Sequence, residues 1–354
     1  MSRRHQFANL LEMSGSLAAV LKLRARAPVP WLSILTYHRF PATGGFECDD
    51  GVVDVTPEEF ERQIACVKRH FNVVGIAELC AFAAGRPLPK NPVAIAFDDG
   101  YLGVYETALP ILKKHNCKAM VFVATAVTTE RLVHWWDRIA YVLKTSTRRE
   151  MLLEYPVPVR LDLTGSRAQA IRSLLLLVKL RPSLDLPRFL SELSRAADVP
   201  WSAEFERRFS DQLLMTWDQI RALQKAGIDV ESHTRTHRVL QTLSSSDLRD
   251  EIEGSREDLR RELGVPARAL AYPVGYPLGW SSPVRAALER SGYEIGLTNG
   301  TGPTPLDGVV DRFDIRRQTV ERDLSNAFFL TMLALPQFAP IHPVPSPSTT
   351  HGGG

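Results

Sequence analysis

The sequence predicts an α/β fold with mainly parallel strands and helices packed outside them. Two observations carry that expectation. Apolar runs of strand length recur between amphipathic segments that start at helix caps, which is the rhythm of repeated β-α-β units. The run Pro92-Val93-Ala94-Ile95-Ala96-Phe97 is continuously apolar, as a strand covered on both faces must be. The pattern favours a single α/β barrel over an open doubly wound sheet by a narrow margin.

Leu32 to Thr36 reads as the first strand and ends in Tyr37-His38. A helix follows from Thr56, with Pro57 in its first turn and Ile64 and Val67 on a repeating face. After the strand Pro92 to Phe97, a helix over Val104 to His115 is bent or interrupted at Pro110, and Lys118 to Thr125 supplies another buried strand. Thr216-Trp217-Asp218-Gln219 is a capping-box signature for a helix stopped by Gly227. Ile228 to Glu231 is then a short strand leading to His233. Leu248, Ile252, Leu259 and Leu263 mark a helical face, followed by a strand at Ala269 to Tyr272, a helix around Val284 to Arg290, and strands at Tyr293 to Thr298 and Val309 to Ile315.

Between Thr128 and Leu214 the alternation stops. Leu132, Val133, Trp136, Ile139, Ala140 and Leu143 form one helical face and Ile171, Leu174, Leu175 and Val178 another. A largely helical insertion over 128–214, placed to roof a substrate groove, fits this stretch. Trp135, Trp136 and Trp201 are expected in a packed aromatic face, with contact to sugar rings as the alternative. The barrel is expected over 31–318, and the Pro-rich residues 331–354, ending in three glycines, as a flexible tail.

A chain of 354 residues with 44% apolar content can bury a large core. Its 43 basic and 40 acidic residues leave a net charge of +3, which supplies no argument for a nucleic-acid partner. The first 30 residues carry Arg3, Arg4, Lys22, Arg24 and Arg26 against Glu12. A solvated tail explains that bias, with peripheral contact to an anionic membrane surface as the alternative. No run reaches the roughly 20 apolar residues of a membrane helix. A secretory signal fits poorly, because Leu17 to Leu21 runs straight into Lys22, Arg24 and Arg26, so a cytoplasmic protein is expected. Cys48, Cys66, Cys80 and Cys117 lack knuckle spacing and are expected as thiols. Nothing in the sequence marks an oligomeric state.

The chemistry concentrates in two short stretches. Asp98-Asp99-Gly100 follows a buried strand at a point where glycine permits a tight turn. Side chains alternate along extended chain, so one aspartate can bind metal while the other faces a nucleophilic water. His233 and His237 stand four residues apart, a spacing that brings two imidazoles to one ion. With Asp99 they make three protein ligands on one face, leaving room for water and a carbonyl oxygen. Such a set suits a divalent metal, Zn2+ first, with Co2+, Ni2+ or Fe2+ also compatible. Structural aspartates and histidines are the alternative reading.

Ala96-Phe97-Asp98-Asp99-Gly100-Tyr101 and Ser232-His233-Thr234-Arg235-Thr236-His237 resemble the first two motifs of the polysaccharide deacetylase family, metal-dependent carbohydrate esterases with a NodB-homology domain. The resemblance covers residues 31 to 125 and 211 to 318. It implies an irregular (β/α) barrel of about seven strands, Asp98 as catalytic base, and Asp99, His233 and His237 as metal ligands. Leu270-Ala271-Tyr272-Pro273-Val274-Gly275 resembles the segment that lines the groove and presents an oxyanion-stabilising backbone N–H, here assigned to Tyr272, Pro273 and Val274.

This sequence departs from the family in two respects. Ala271 stands where many members have an arginine that orients the base, and Val274 where a tyrosine is common. No histidine lies between His237 and the tail, where many members supply a general acid; Arg312, Arg316 and Arg317 occupy that region. His342 falls in the tail, so His38, after the first strand, is the better candidate for the general acid, with a buried structural histidine as the alternative reading. The implied activity is metal-dependent hydrolytic deacetylation of N-acetylated amino sugars in a polysaccharide or glycan precursor, with exopolysaccharide as the family's usual setting. The alternatives are hydrolysis of another amide or an O-acetyl ester, and a catalytically silent carbohydrate-binding protein.

Overall fold

The computed structural model describes residues 3–27, 29–41, 46–279, 282–299, 302–308, 310–320, 322 and 324–336. Residues 337–354, with His342, and Val309 lie outside the described residues, whereas the first residues of the expected tail are no tail: Thr331 to Ala334 end a helix and are buried, because Met332, Leu333 and Ala334 are apolar and join the core. Seven parallel strands close into a barrel: β1 (Trp31–Tyr37), β2 (Pro92–Phe97), β3 (Met120–Val123), β4 (Asp229–Ser232), β5 (Ala269–Ala271), β6 (Ile295–Asn299) and β7 (Ile315–Thr319). Each pairs with the next in sequence order, and β7 returns to β1 through Leu35 opposite Gln318, which closes the ring. A short strand Asn72–Val73 pairs with β2, and Thr304–Pro305 runs antiparallel to β1.

The pleat of these strands sorts their side chains into two cores. Leu32, Ile34, Ala94, Ala96, Met120, Phe122, Ala269, Ala271, Ile295, Leu297 and Ile315 fill the barrel, with alanines where the interior is narrow. The alternate residues, among them Tyr37, Val93, Ile95, Phe97, Val121 and Leu270, pack outward beneath the helices. The helix Ile76–Ala83 stops the N-terminal end, adding Ile76, Leu79 and Cys80 to the interior, and the Ile76 N–H donates to Asp229 at 2.9 Å. The opposite, C-terminal end is left for the site.

The helices start where the caps require. Thr56 and Thr216 each accept from the backbone three residues on and complete a capping box with Glu59 and Gln219. The stretch from Val104 begins as a five-residue π turn and continues unbroken as the helix Leu109–Lys114, and Pro110, which has no N–H to donate, falls where the π bonding gives way to α. The last strand is displaced from the expected 309–315 to Ile315–Thr319. Asp311 holds a turn there, accepting the Phe313 N–H at 3.0 Å and two bonds from Arg285. The strand itself, Ile-Arg-Arg-Gln-Thr, has one apolar residue because its inward positions serve the site.

The insertion has its own core, built on helices Trp135–Thr145, Arg167–Leu180, Leu186–Ala196 and Ala203–Leu213. It also contains an antiparallel hairpin, Glu150–Leu153 with Val159–Asp162, whose burial alternates on the first strand. Trp201 packs against Phe205 with ring centroids 5.2 Å apart and lies under the Arg138 guanidinium, as an aromatic packing residue. The N-terminal segment is no solvated tail. Helices Arg3–Met13 and Ser16–Arg26 pack on Asn326–Ala334, burying Ala8, Leu17 and Leu21. Among the described residues no helix is long and apolar enough to cross a membrane.

One backbone contact at the mouth of the barrel is unusually close. Gly275 has φ +77, and a Cβ there would stand 2.1 Å from the Asn299 Cβ and 2.6 Å from its backbone N. Gly275→Ala is therefore expected to lower stability in urea denaturation by about 1–3 kcal/mol, through strain and overpacking. Gly165→Ala, where nothing lies within 4 Å, serves as the control with little change.

Candidate active site

The inward parity of the strands continues past their C-terminal ends. Ala94 and Ala96 face the barrel interior, so Asp98 does too; Ile34 leads through Thr36 to His38, Leu297 to Asn299, and Ile315 to Arg317. His38, Asp98 and Asn299 line one cavity of about 420 Å³ together with Asp99, His233, His237, Tyr272 and Val274. Pro273 is buried in the same turn and does not reach the cavity wall. The Tyr272 hydroxyl donates to the Phe313 carbonyl at 2.9 Å, so Tyr272 anchors the groove through its outward side.

Asp99 leaves the strand parity because its backbone turns left-handed, with φ 69 at Asp99 and 74 at Gly100. The turn brings Asp99 Oδ1 to 3.4 Å from His233 Nε2 and 3.3 Å from His237 Nε2. One donor atom from each of the three lies within 4.8 Å of the others. Donors about 2.0–2.2 Å from one ion in a tetrahedral arrangement would stand about 3.3–3.6 Å apart, so the site fits a divalent metal. Asp99 Oδ1 is buried with no hydrogen-bond partner, an acceptor left for a cation. His233 Nδ1 donates to the Ala271 carbonyl at 2.8 Å, which fixes Nε2 as its ligand nitrogen.

The loop carrying both histidines is strained and braced. Thr234 and His237 have φ 65 and 56. Thr234 Oγ1 accepts the His237 N–H at 3.1 Å, and Ser232 Oγ accepts the Thr234 N–H at 3.1 Å. Glu251 accepts the backbone N–H groups of Arg235 and Thr236 at 2.8 and 2.9 Å, and Arg235 pairs with Asp250 and Asp258. The small polar residues and the arginine of this stretch are thus clamps. Their acidic partners lie some 15 residues or more downstream without a motif to announce them.

The insertion does more than roof the groove. His134 Nε2 donates to the Asp99 carbonyl at 3.0 Å, and Trp135 Nε1 donates to the His237 carbonyl at 3.1 Å. The Trp136 ring meets the His237 imidazole edge to face at 4.4 Å. Asp137, fully buried, accepts from Arg39 at 3.1 Å, from the Tyr101 hydroxyl at 2.8 Å and from the Asp49 N–H at 2.8 Å. The first insertion helix therefore belongs to the shell that holds the ligand residues in place. His134 and Asp137 had no sequence signal, since their partners are backbone atoms and distant side chains.

The arginine absent at Ala271 is supplied from elsewhere. Arg317, fully buried on β7, donates from Nη1 to Asp98 Oδ1 at 2.7 Å and from Nε to the Thr298 carbonyl at 3.2 Å. The second Asp98 oxygen stands 3.7 Å from His233 Nε2. Arg312 and Arg316, by contrast, face Glu289 and Asp314 in exposed or half-exposed pairs. Ala271 points into the barrel as its parity requires, and its small side chain leaves room beside the pair.

The electrostatics suit this division. Burial, then the neighbouring His233, pushes His237 well below the usual imidazole range, so it is a neutral ligand at pH 7. Burial acts to raise Asp99, but the adjacent imidazoles of His233, His237 and His134 outweigh it and hold the carboxyl below its usual range. Burial would lower His38, yet Asp54, with Oδ1 3.6 Å from Nδ1, outweighs it and lifts His38 to about 9. The His38 N–H also donates to Asp54.

A model of the polysaccharide deacetylase family matches residues 85–154 and 191–296. Over 87 residues the chain is 34% identical to the poly-beta-1,6-N-acetyl-D-glucosamine N-deacetylase of Staphylococcus aureus, a match spanning 24% of this chain and 30% of that protein. The deacetylase PplD of Streptococcus pyogenes shares the fold with a TM-score of 0.54 at 18% identity, over 87% of this chain and 99% of that one. IcaB of Ammonifex degensii shares it with a TM-score of 0.52 at 18% identity, over 88% and 98%. With the two motifs, the closed seven-stranded barrel and the Asp99, His233 and His237 cluster in agreement, the chain belongs to the polysaccharide deacetylase family.

Proposed function

We propose that the protein hydrolyses the N-acetyl amide of an amino sugar within a glycan and releases acetate. The observation that carries this reading is the placement of Asp98: it shares the cavity with three metal-ligand side chains yet is tied by one oxygen to Arg317. A divalent cation at Asp99, His233 and His237, with zinc suited to that donor set, supplies a Lewis acid for the acetyl carbonyl and acidifies water beside it.

Asp98 takes a proton from the attacking water through the oxygen that Arg317 leaves free. As the carbon–oxygen bond forms, the carbonyl oxygen gains negative charge. Val274, at φ 64 in the turn lining the groove, is the candidate to offer it a backbone N–H. The carbon–nitrogen bond then breaks, and His38, protonated at neutral pH, gives its proton to the amine nitrogen. An amine leaves poorly without that proton, whereas many alcohols leave more easily, so a raised His38 favours an amide over an O-acetyl ester. The activity named for the Staphylococcus aureus relative supports an N-acetylated hexosamine glycan as substrate class.

The test is acetate release from N-acetylglucosamine oligomers by protein loaded in turn with Zn2+, Co2+, Ni2+ and Fe2+. Glycan binding without acetate from any of them would leave the silent binder standing. Replacing both His233 and His237 by alanine is expected to cut bound metal at least tenfold by elemental analysis. Asp98→Asn should keep the metal and lower kcat by about 10²–10⁴-fold, the usual worth of a positioned general base.

The pH profile separates the acid. His38 works when protonated, so kcat on an amide should fall as pH rises through its pKa, giving a basic limb near 9 or below, since a bound cation opposes protonation. In His38→Gln that limb should vanish and the loss should be smaller on an O-acetyl substrate. An unchanged limb would remove His38 from the proton path.

A further inference from the structure

We propose that the cavity carries a second subsite, formed by Arg172 and Lys179 of the insertion, that binds an anionic group on the same glycan as the N-acetyl sugar. The inference rests on the deacetylase reading above and extends it to substrate class. Helix Arg167–Leu180 lines the cavity through residues 167, 168, 171, 172, 175 and 179, which share one face at 3.6 residues per turn. On that face Arg172 and Lys179 stand about two turns, or ~10 Å, apart, with Leu175 between them and Ile171 beside Arg172.

The other charges around this part of the cavity are already committed. Lys144 donates to Asp50 at 2.8 Å and to the Cys48 carbonyl at 2.7 Å. Arg167 donates to the Leu143 carbonyl. Asp49 accepts the Gly51 N–H at 3.0 Å and caps the short turn that follows. Arg172 and Lys179 have no ion pair or hydrogen-bond partner among the described residues. Four cations thus meet two carboxylates on this wall, so positive charge is in excess there even with Asp49 set against Lys179. Burial lowers the pKa of Lys179 and nearby Asp49 opposes the shift without cancelling it, so a further anionic partner is more valuable there than in open water.

A neutral N-acetylglucosamine chain offers these two groups hydroxyl and carbonyl acceptors but no counter-charge. A carboxylate on a neighbouring uronic acid, or a diphosphate on the reducing end of a precursor, does. The geometry points to an acidic glycan, with two cations along one helix face and the metal centre across the cavity.

The experiment compares acetate release from three soluble substrates: neutral N-acetylglucosamine oligomers, oligomers alternating N-acetylglucosamine with glucuronate, and a nucleoside-diphosphate N-acetylglucosamine. At low salt at least one acidic substrate is expected to show a kcat/KM tenfold or more above the neutral oligomer, and the one preferred identifies carboxylate or diphosphate as the anion. Arg172→Glu with Lys179→Glu should reduce that preference at least tenfold, as should Arg172→Gln with Lys179→Gln to a lesser extent, and 0.5 M salt should weaken it. Equal kcat/KM on all three, or a preference that survives both double variants, overturns the subsite. Calorimetric binding of the deacetylated acidic oligomers is measured in parallel. Binding lost in the double variants with no acetate released from any substrate would refute the deacetylase reading and leave the subsite intact.

Discussion

The closed parallel barrel constrains everything else, because its pleat leaves each strand only alternate positions with which to address the interior. At the C-terminal end those positions converge. His38 extends β1, Asp98 extends β2, Asn299 ends β6 and Arg317 lies on β7, each on the inward register of its strand. No long-range instruction is needed to gather them once the ring closes through Leu35 and Gln318. The metal ligand Asp99 is the exception to parity. Its left-handed φ turns its carboxylate to His233 and His237 while that of Asp98 meets Arg317, so two adjacent carboxylates address different partners.

The Asp98–Arg317 pair shows how a function can move along the chain while staying in place in space. The two residues are 219 positions apart, yet their strands contribute to the same end of the same barrel. An arginine at position 271 would enter that space from β5; here it enters from β7. Both partners are buried, and removing either would strand the other's charge, a penalty of about 3–5 kcal/mol in buried pairs. The pair therefore fixes one oxygen of Asp98 as a matter of folding. Arg317 thus sets the orientation of the Asp98 carboxylate.

The sequence made the local parts of this site legible and hid the distant ones. Asp98, Asp99, His233 and His237 sit in short stretches whose spacing carries chemistry, and the strands before them are apolar runs that read directly. Arg317 was visible only as one of three late arginines, because what distinguishes it is register in a strand that begins at Ile315. Most of that strand's residues are polar, so hydrophobicity placed it too early. His134, Glu251 and Asp137 act on backbone atoms or far side chains, which leave no periodic mark. The hairpin Glu150–Leu153 with Val159–Asp162 escaped for a similar reason: strands of four residues inside a helical stretch fall below the length at which alternation is distinguishable.

The insertion joins these levels. Its first helix is bonded to the carbonyls of Asp99 and His237, so the metal-ligand loops and the groove wall are one mechanical unit. Its second helix presents cations to the cavity, and its remaining helices give that wall a core of its own. A segment attached in this way can change the groove's charge by substitutions on one helix face while the bonds to the ligand loops stay untouched. Groove charge and the bracing of the ligand loops are thereby separated onto different helices of the same insertion.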